Sequence, residues 1–243
     1  MKGTVKPRKS DYEGLQFVRW VLMVVVASRA AGMRELNRGR LHVLLFQSFA
    51  SSLYYGIKPL RQRAQRTVHG PYYRAAHIAV GKLVLSGLAT LEEYNPLDHK
   101  QGIQFDGKLS PTPAGLKVVH ALRATKSGEL LYRFLLDLCL STVEAVHVTR
   151  DNEFPQGTTE PELAEQLELL AQASIDDVLL ADLSYQRASK REGVLLQVVE
   201  NPDDIPLTVR GLREVAGAIA DGRYKNRRDV LTAYQFLLRQ RVA

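Results

Sequence analysis

The side chains that could perform catalysis are scattered along this sequence and do not fall at catalytic spacings. None of the six histidines forms a helical pair around a glutamate or has a second ligand at zinc spacing. The adjacent aspartates at 176–177 and 203–204 could bind Mg²⁺ in a nuclease, but neighbouring helical residues point about 100° apart and do not converge. The glycine-rich loop of nucleotide hydrolases is also absent from the sequence. We therefore expect no catalytic residue, no metal and no cofactor.

Two further candidates for chemistry have simpler explanations. Asp182, Lys190 and Glu200 form a nuclease-like site only in a fold chosen to bring them together. The single cysteine, Cys139, lies among leucines, which is typical of a buried small hydrophobic residue. A small nuclease stays an alternative of another class, and we expect no small-molecule substrate.

Basic and aromatic side chains between residues 61 and 108 indicate a binding function instead. In a helix-turn-helix, the first residues of the second helix meet base edges, while the preceding helix and turn contact phosphates. The candidate nucleic-acid-binding residues are Arg61, Arg63, Arg66, Tyr72, Tyr73, Arg74, His77, Lys82, Lys100 and Lys108. Either tyrosine could instead pack in the core with its hydroxyl at the rim. The same surfaces of winged helices also dock proteins, so the fold alone does not decide between DNA and protein.

A second set of candidates lies on the last amphipathic stretch, residues 229–241, and just before it. An amphipathic terminal helix can lie in the groove of a partner protein. The candidate partner-binding residues are Arg227, Arg228, Tyr234, Leu237 and Leu238. The basic residues could also merely complement the dipole of a helix end.

Charge is segregated along the chain. Residues 1–77 carry fourteen Lys and Arg against three acids, residues 151–209 carry thirteen acids against three bases, and residues 210–243 are basic again. A basic end attracts a polyanion, because each cation placed on a phosphate releases a counterion. A solvated basic face or a surface for an acidic protein is the alternative.

The hydrophobic pattern supplies the elements that position these residues. Residues 15–31 are apolar nearly all round, as in the central helix of a core. The pattern then predicts a helix over 36–53, a short one over 60–68, and a third over 72–86 with Pro71 in its first turn. A hairpin of strands 88–94 and 103–109 follows, and a further helix begins at Pro113 behind Thr112 as N-cap. Helix, short helix, helix, hairpin, helix is the order of a winged helix.

The rest of the chain is predicted to be largely helical. Helical patterns cover 128–148, 162–173, 175–187, 209–220 and 229–241, and residues 194–199 suit a strand or a helix. Residues 152–161 contain two prolines and a glycine and form the best linker. We therefore expect a mainly α fold with two domains: a basic winged-helix-like module with one β-hairpin over 1–150, and a helical partner-binding region over 151–243.

The sequence predicts no membrane attachment. Its longest purely apolar run, residues 21–27, is far shorter than the roughly 20 residues that span a bilayer. The basic start of the chain is not followed by a suitable signal-peptide cleavage site. We expect a cytoplasmic protein.

Three stretches give the chain a family resemblance over residues 15–148. They are Leu41 to Leu53, then His69-Gly70-Pro71-Tyr72-Tyr73 leading to Leu83-Val84-Leu85-Ser86-Gly87-Leu88, and then Ser110-Pro111-Thr112-Pro113-Ala114-Gly115. In these stretches the chain resembles the middle components of bacterial ABC-ATPase three-component antiviral systems, the Lamassu-like group. The resemblance implies a small non-catalytic subunit that bridges an SMC-like or related ATPase and an effector such as a nuclease. Together with the basic module, it leads us to expect an adaptor that binds DNA, bridges these subunits, or does both. The runner-up is a stand-alone, dimeric DNA-binding transcription regulator.

Overall fold

The part of the chain that the structure describes is mainly helical, with two small antiparallel sheets. The computed structural model describes residues 9–60, 63–67, 70–97, 104–146, 159–181, 194–196, 207–220 and 226–242. The α-helices are α1 (Lys9–Ala30), α2 (Arg38–Ser51), α3 (Arg74–Leu85), α4 (Pro113–Arg123), α5 (Lys126–Glu144), α6 (Glu160–Ala181), α7 (Leu207–Ala218) and α8 (Arg227–Gln240). The strands are β1 (Arg63–Thr67), β2 (Gly70–Tyr72), β3 (Ala89–Leu97), β4 (Gln104–Pro111) and β5 (Val194–Leu196).

Helix α1 is the centre of the core, as its apolar pattern predicts. Its residues from Trp20 to Ala27 are all buried, because helices α3 and α5 and strand β4 pack around it. The indole Nε1 of Trp20 donates a hydrogen bond to the Ser48 hydroxyl at 2.9 Å, which ties α1 to α2. A buried donor that keeps a partner avoids a desolvation penalty. Helix α1 therefore fixes α2, α3 and the β3–β4 hairpin relative to one another.

The hairpin and the helices beside it confirm most of the predicted order. Strands β3 and β4 pair antiparallel from Ala89↔Pro111, with an irregularity between Glu92 and Asn95. Thr112 caps α4, because its side chain accepts a hydrogen bond from the Gly115 N–H. The predicted helices over 15–31, 36–53, 72–86 and 128–148 are present with ends shifted by a few residues. The stretches 162–173 and 175–187 belong in part to one helix, α6.

The short helix predicted over residues 60–68 is wrong, because this segment contains strand β1. Ala64 is buried and Gln65 is exposed, which is the alternation of a strand. Strand β1 pairs antiparallel with β2 on one side and with β5 on the other. Pro71 lies in β2 and not in the first turn of a helix. Helix α3 thus follows a strand pair, where a helix-turn-helix has a helix.

The acidic part of the chain packs on the basic part. Buried residues of α6, α7 and α8 belong to the same hydrophobic cluster as those of α1, α2 and α5. The Glu160 carboxylate accepts a hydrogen bond from the Arg34 N–H at 3.0 Å and pairs with Arg40 at 2.7 Å. Glu165 pairs with Arg239 at 3.7 Å. Some of the segregated charge is therefore paired within the molecule. The division at residue 150 lies outside the described residues, and two separate domains stay a prediction.

Candidate functional site

The start of helix α3 is anchored in the core. Tyr73 precedes the helix, and its side chain is fully buried. Its backbone N–H donates a hydrogen bond to Nδ1 of His42 at 3.1 Å, and its ring lies edge-on to Phe49 with centroids 5.6 Å apart. The prediction that Tyr73 contacts nucleic acid is wrong, because the side chain does not reach the surface. The alternative, a tyrosine packed in the core with its hydroxyl at the rim, is right for the ring only, because the hydroxyl is buried too.

Tyr72 and His77 lie at the rim beside this anchor. The Tyr72 ring is 4.8 Å from the ring of His42 and 5.8 Å from that of His77. Burial raises the pKa of Tyr72, although Arg38 and Arg74 nearby oppose the rise. Burial, and then Arg38, lowers the pKa of His77. Both side chains are about half-buried, so they support the start of α3 and offer only part of their surface to a ligand.

His42 is neutral in the folded protein. Burial is the main cause that lowers its pKa to about 3, and nearby His77 and Arg38 add to the effect. Because Nδ1 accepts the hydrogen bond from Tyr73, the proton of the neutral ring is on Nε2. A cleft lined by Arg38, His42, His77 and other residues has room for about one water molecule. It is too small for an organic ligand.

The outer side of α3 presents two cations and two apolar side chains. Arg74, Ile78, Lys82 and Leu85 follow one another at helical spacings of four, four and three residues, so they span roughly 80° of the helix surface. Ile78 is 58% exposed and Leu85 is 90% exposed. Arg74 and Lys82 are exposed, and within the described residues neither makes an ion pair. We call these four residues the α3 face.

Lys108, a basic residue of the hairpin beside α3, is neutralised by two carboxylates. Lys108 Nζ lies 2.8 Å from a carboxylate oxygen of Glu35 and 2.8 Å from one of Glu93. These carboxylates raise the pKa of Lys108, and Lys108 lowers the pKa of Glu35. Glu92, Glu93 and Tyr94 are exposed on the same hairpin. Its surface near β3 therefore offers carboxylates, and Lys108 is a weaker candidate for a phosphate contact than its sequence position indicates.

Four of the predicted nucleic-acid contacts lie outside the part of the chain whose side chains are described. Arg61 and Lys100 are outside the described residues altogether. Arg63 and Arg66 belong to β1 by their backbone, opposite Leu196 and Pro71, and their side chains are not described. Their role as phosphate contacts stays a prediction.

The last helix, α8, is packed into the molecule by its apolar stripe. Tyr234 and Leu238 are buried among α5, α6 and α7, so their predicted role as partner contacts is wrong. Arg228 pairs with Glu144 at 3.5 Å, and the Arg227 guanidinium lies 5.6 Å from the centroid of the Tyr55 ring. Leu237 is 47% exposed. The part of the prediction that concerns Arg227, Arg228 and Leu237 stays open to experiment.

The exposed apolar residues Ile78 and Leu85 were not among the candidates, although the sequence contained a signal for them. The apolar residues predicted to face inward on this helix are Ala76, Val80, Leu83 and Val84. They occupy one side, so Ile78, Lys82 and Leu85 fall on another. Two large apolar side chains exposed on the outer side of a helix whose inner side is filled make this side a candidate contact surface.

Of the residues considered for catalysis, the structure describes the cysteine but not the nuclease-like set. Cys139 is buried, as predicted, and burial raises its pKa to about 12. Asp182, Lys190 and Glu200 lie outside the described residues. Within the described ranges, no three His, Cys, Asp or Glu side chains come together as metal ligands. Within the same residues, no helix has both the length and the hydropathy of a membrane span.

Comparison of the chain with protein-family models, with curated proteins and with solved structures finds no match.

Proposed function

We propose that this protein is a non-catalytic adaptor of winged-helix type that joins an SMC-like ATPase to an effector in a bacterial antiviral complex. The observation that carries the proposal is the α3 face, where the exposed side chains of Ile78 and Leu85 lie beside Arg74 and Lys82. Exposed apolar side chains ringed by polar ones are typical of surfaces that bind another protein. We place the complex in the cytoplasm.

The contacts between two stretches of the family resemblance support the winged-helix type. The Thr112 hydroxyl donates a hydrogen bond to the Gly87 carbonyl at 2.7 Å, and the Thr112 N–H donates to the Leu88 carbonyl at 3.2 Å. The end of α3 and the start of α4 are thereby joined at the base of the β3–β4 hairpin. A helix followed by a hairpin and braced by the next helix is the part of a winged helix that presents a binding surface.

A stand-alone DNA-binding regulator is the second candidate. Arg74 and Lys82 favour it, because exposed cations on the helix before a hairpin are suited to phosphates. Tyr73 weighs against it, since a buried side chain at the start of the helix cannot read a base edge. The adaptor is favoured because half of the α3 face is apolar.

The subunit composition of the protein in its own cells tests the proposal. A chromosomally tagged chain, purified under native conditions and weighed by native mass spectrometry, should carry an ATPase and an effector in fixed ratio. A chain recovered as a lone homodimer that binds a palindromic duplex with steep salt dependence would instead establish the regulator.

A further inference from the structure

We propose that the α3 face binds an acidic amphipathic helix of a partner protein. The inference rests on the proposed adaptor function and names the chemistry of the partner at this surface. Arg74, Ile78, Lys82 and Leu85 lie along about 16 Å of helix, which matches three turns of a partner helix. A partner with apolar residues along one stripe and carboxylates beside it would complement all four side chains.

The apolar half of the α3 face is suited to burial against the surface of another protein. Ile78 and Leu85 are seven residues apart, so they lie almost in line, two turns from each other. Their exposures of 58% and 90% leave most of each side chain in water. Within the described residues no element lies over them. An apolar stripe with this spacing is the kind of surface that meets the stripe of another helix.

The charge of the face selects an acidic partner over a second copy of this chain. Both charged members, Arg74 and Lys82, are cations, and the face itself contains no acidic residue. Pairing two such faces would bring four cations together around an apolar contact, and like charges at an interface oppose association. Carboxylates flanking a partner's apolar stripe would neutralise both cations and fix the register of the two helices.

The same features disfavour DNA as the occupant. A helix in the major groove uses polar side chains on base edges, and two of the four residues here are large and apolar. Lys108 of the adjoining hairpin is paired with Glu35 and Glu93, so it adds no unpaired cation for a phosphate. A protein helix therefore complements the α3 face better than a nucleic acid does.

Fluorescence anisotropy with three labelled probes tests the proposal on the full chain. The first probe is a synthetic four-heptad helix with leucine at a and d and glutamate at e and g. The second has lysine in place of each glutamate, and the third is a 20-base-pair duplex. We expect the acidic peptide to bind at least about ten times more tightly than the basic one. In Arg74→Glu/Lys82→Glu the preference should reverse, and in Ile78→Asp/Leu85→Asp binding of the acidic peptide should be lost.

A matched control separates this face from general charge effects. Arg210 and Arg213 are exposed cations on α7, and Arg210→Glu/Arg213→Glu changes the net charge by the same amount. This variant should keep the wild-type preference, and circular dichroism should verify the fold of every variant. The proposal is overturned if the acidic peptide does not bind, or if its binding responds equally to both reversals. Duplex binding that is lost only in Arg74→Glu/Lys82→Glu would also overturn it.

The two proposals fail in different ways. If the acidic peptide does not bind but the tagged chain still purifies with an ATPase and an effector, the adaptor function holds through another surface. If the tagged chain purifies without partners, the adaptor function itself is wrong.

Discussion

The backbone N–H of Tyr73 donates a buried hydrogen bond, 3.1 Å long, to the imidazole Nδ1 of His42. This contact joins the second turn of α2 to the residue that precedes α3. It makes the orientation of α3, and thus of the α3 face, depend on a neutral histidine ring. Protonation of His42 would remove the acceptor, because both nitrogens of an imidazolium are donors.

The free energy of unfolding should fall as the pH is lowered through the His42 titration range. The folded-state pKa of His42 is lowered to about 3, and the unfolded value is near 6.5. Between these values the unfolded chain binds more protons, so stability is complete above about pH 6.5 and is lost by up to about 1.4 kcal/mol per pH unit below it. Urea unfolding at pH 7.5, 6.5, 5.5 and 4.5 measures the slope.

His42→Asn is the control for this pH dependence. Its side-chain oxygen can still accept the Tyr73 N–H, but it does not titrate. The slope between pH 4.5 and 6.5 should therefore be smaller in the variant, with a residual contribution from His77, whose pKa is also lowered. Equal slopes in the two proteins would show that His42 is not the group that sets acid stability.

Gly70→Ala should destabilise the protein by about 2 to 4 kcal/mol. Gly70 has a φ of +112°, which side-chain-bearing residues rarely adopt, and an added Cβ would lie 2.9 Å from the Cβ of Ala171 on α6. Backbone strain and steric overlap with Ala171 therefore both destabilise the alanine variant, at the point where β2 packs on α6. Thermal and urea unfolding measure the loss.

Gly81→Ala is the matched control for that substitution. Gly81 is inside α3, and an added Cβ meets nothing within 4 Å. Alanine has the higher helix propensity, so this variant should gain about 0.5 to 1 kcal/mol. Equal losses at both glycines would contradict the account of β2 and α6 packing.

Replacing either of two buried glutamines by methionine should stabilise the fold. Gln166 on α6 and Gln235 on α8 are fully buried, and among the described residues their amide groups have no hydrogen-bond partner. A buried polar group without a partner costs about 1 to 3 kcal/mol, and methionine has a similar shape without that cost. Each variant should gain about 1 kcal/mol in urea unfolding.

Gln172→Met gives the reference for an exposed glutamine on the same helix as Gln166. It should change stability by no more than about 0.5 kcal/mol. A loss of stability at Gln166 and Gln235 would mean that their amides are solvated or paired in solution.

The hydrophobic periodicity of the sequence was sufficient to predict the long helices. It was insufficient to predict the structure of the segment before α3. Helix α1 and the Thr112 cap follow from local patterns that tertiary contacts reinforce. Strand β1 does not, because Arg63–Thr67 pairs with β2, which has only three residues, and with β5, more than 120 residues later in the chain. The pairing with β5 leaves no local signal.

Burial determines which candidate site residues are accessible to a ligand or partner. Local sequence patterns could not predict this burial. Tyr73 and Arg74 are adjacent in the sequence, but one is in the core and the other is exposed. The stripe of α8 has the same pattern whether it meets a partner or, as observed for Tyr234, the other helices of this chain. Only the packing of α5, α6 and α7 against α8 distinguishes a stripe buried within the chain from one that binds a partner.

The central claim, that the chain joins partner proteins through the α3 face, is tested most directly by the composition of complexes formed by single-residue variants. Leu85→Asp places a carboxylate in the face, and Leu15→Asp places one at a leucine of α1 that is 63% exposed. Native mass spectrometry of each tagged variant, purified from the producing cell, counts the subunits. We predict that Leu85→Asp loses a subunit that the wild type and Leu15→Asp both retain. A Leu85→Asp complex identical to the wild-type complex would contradict the claim.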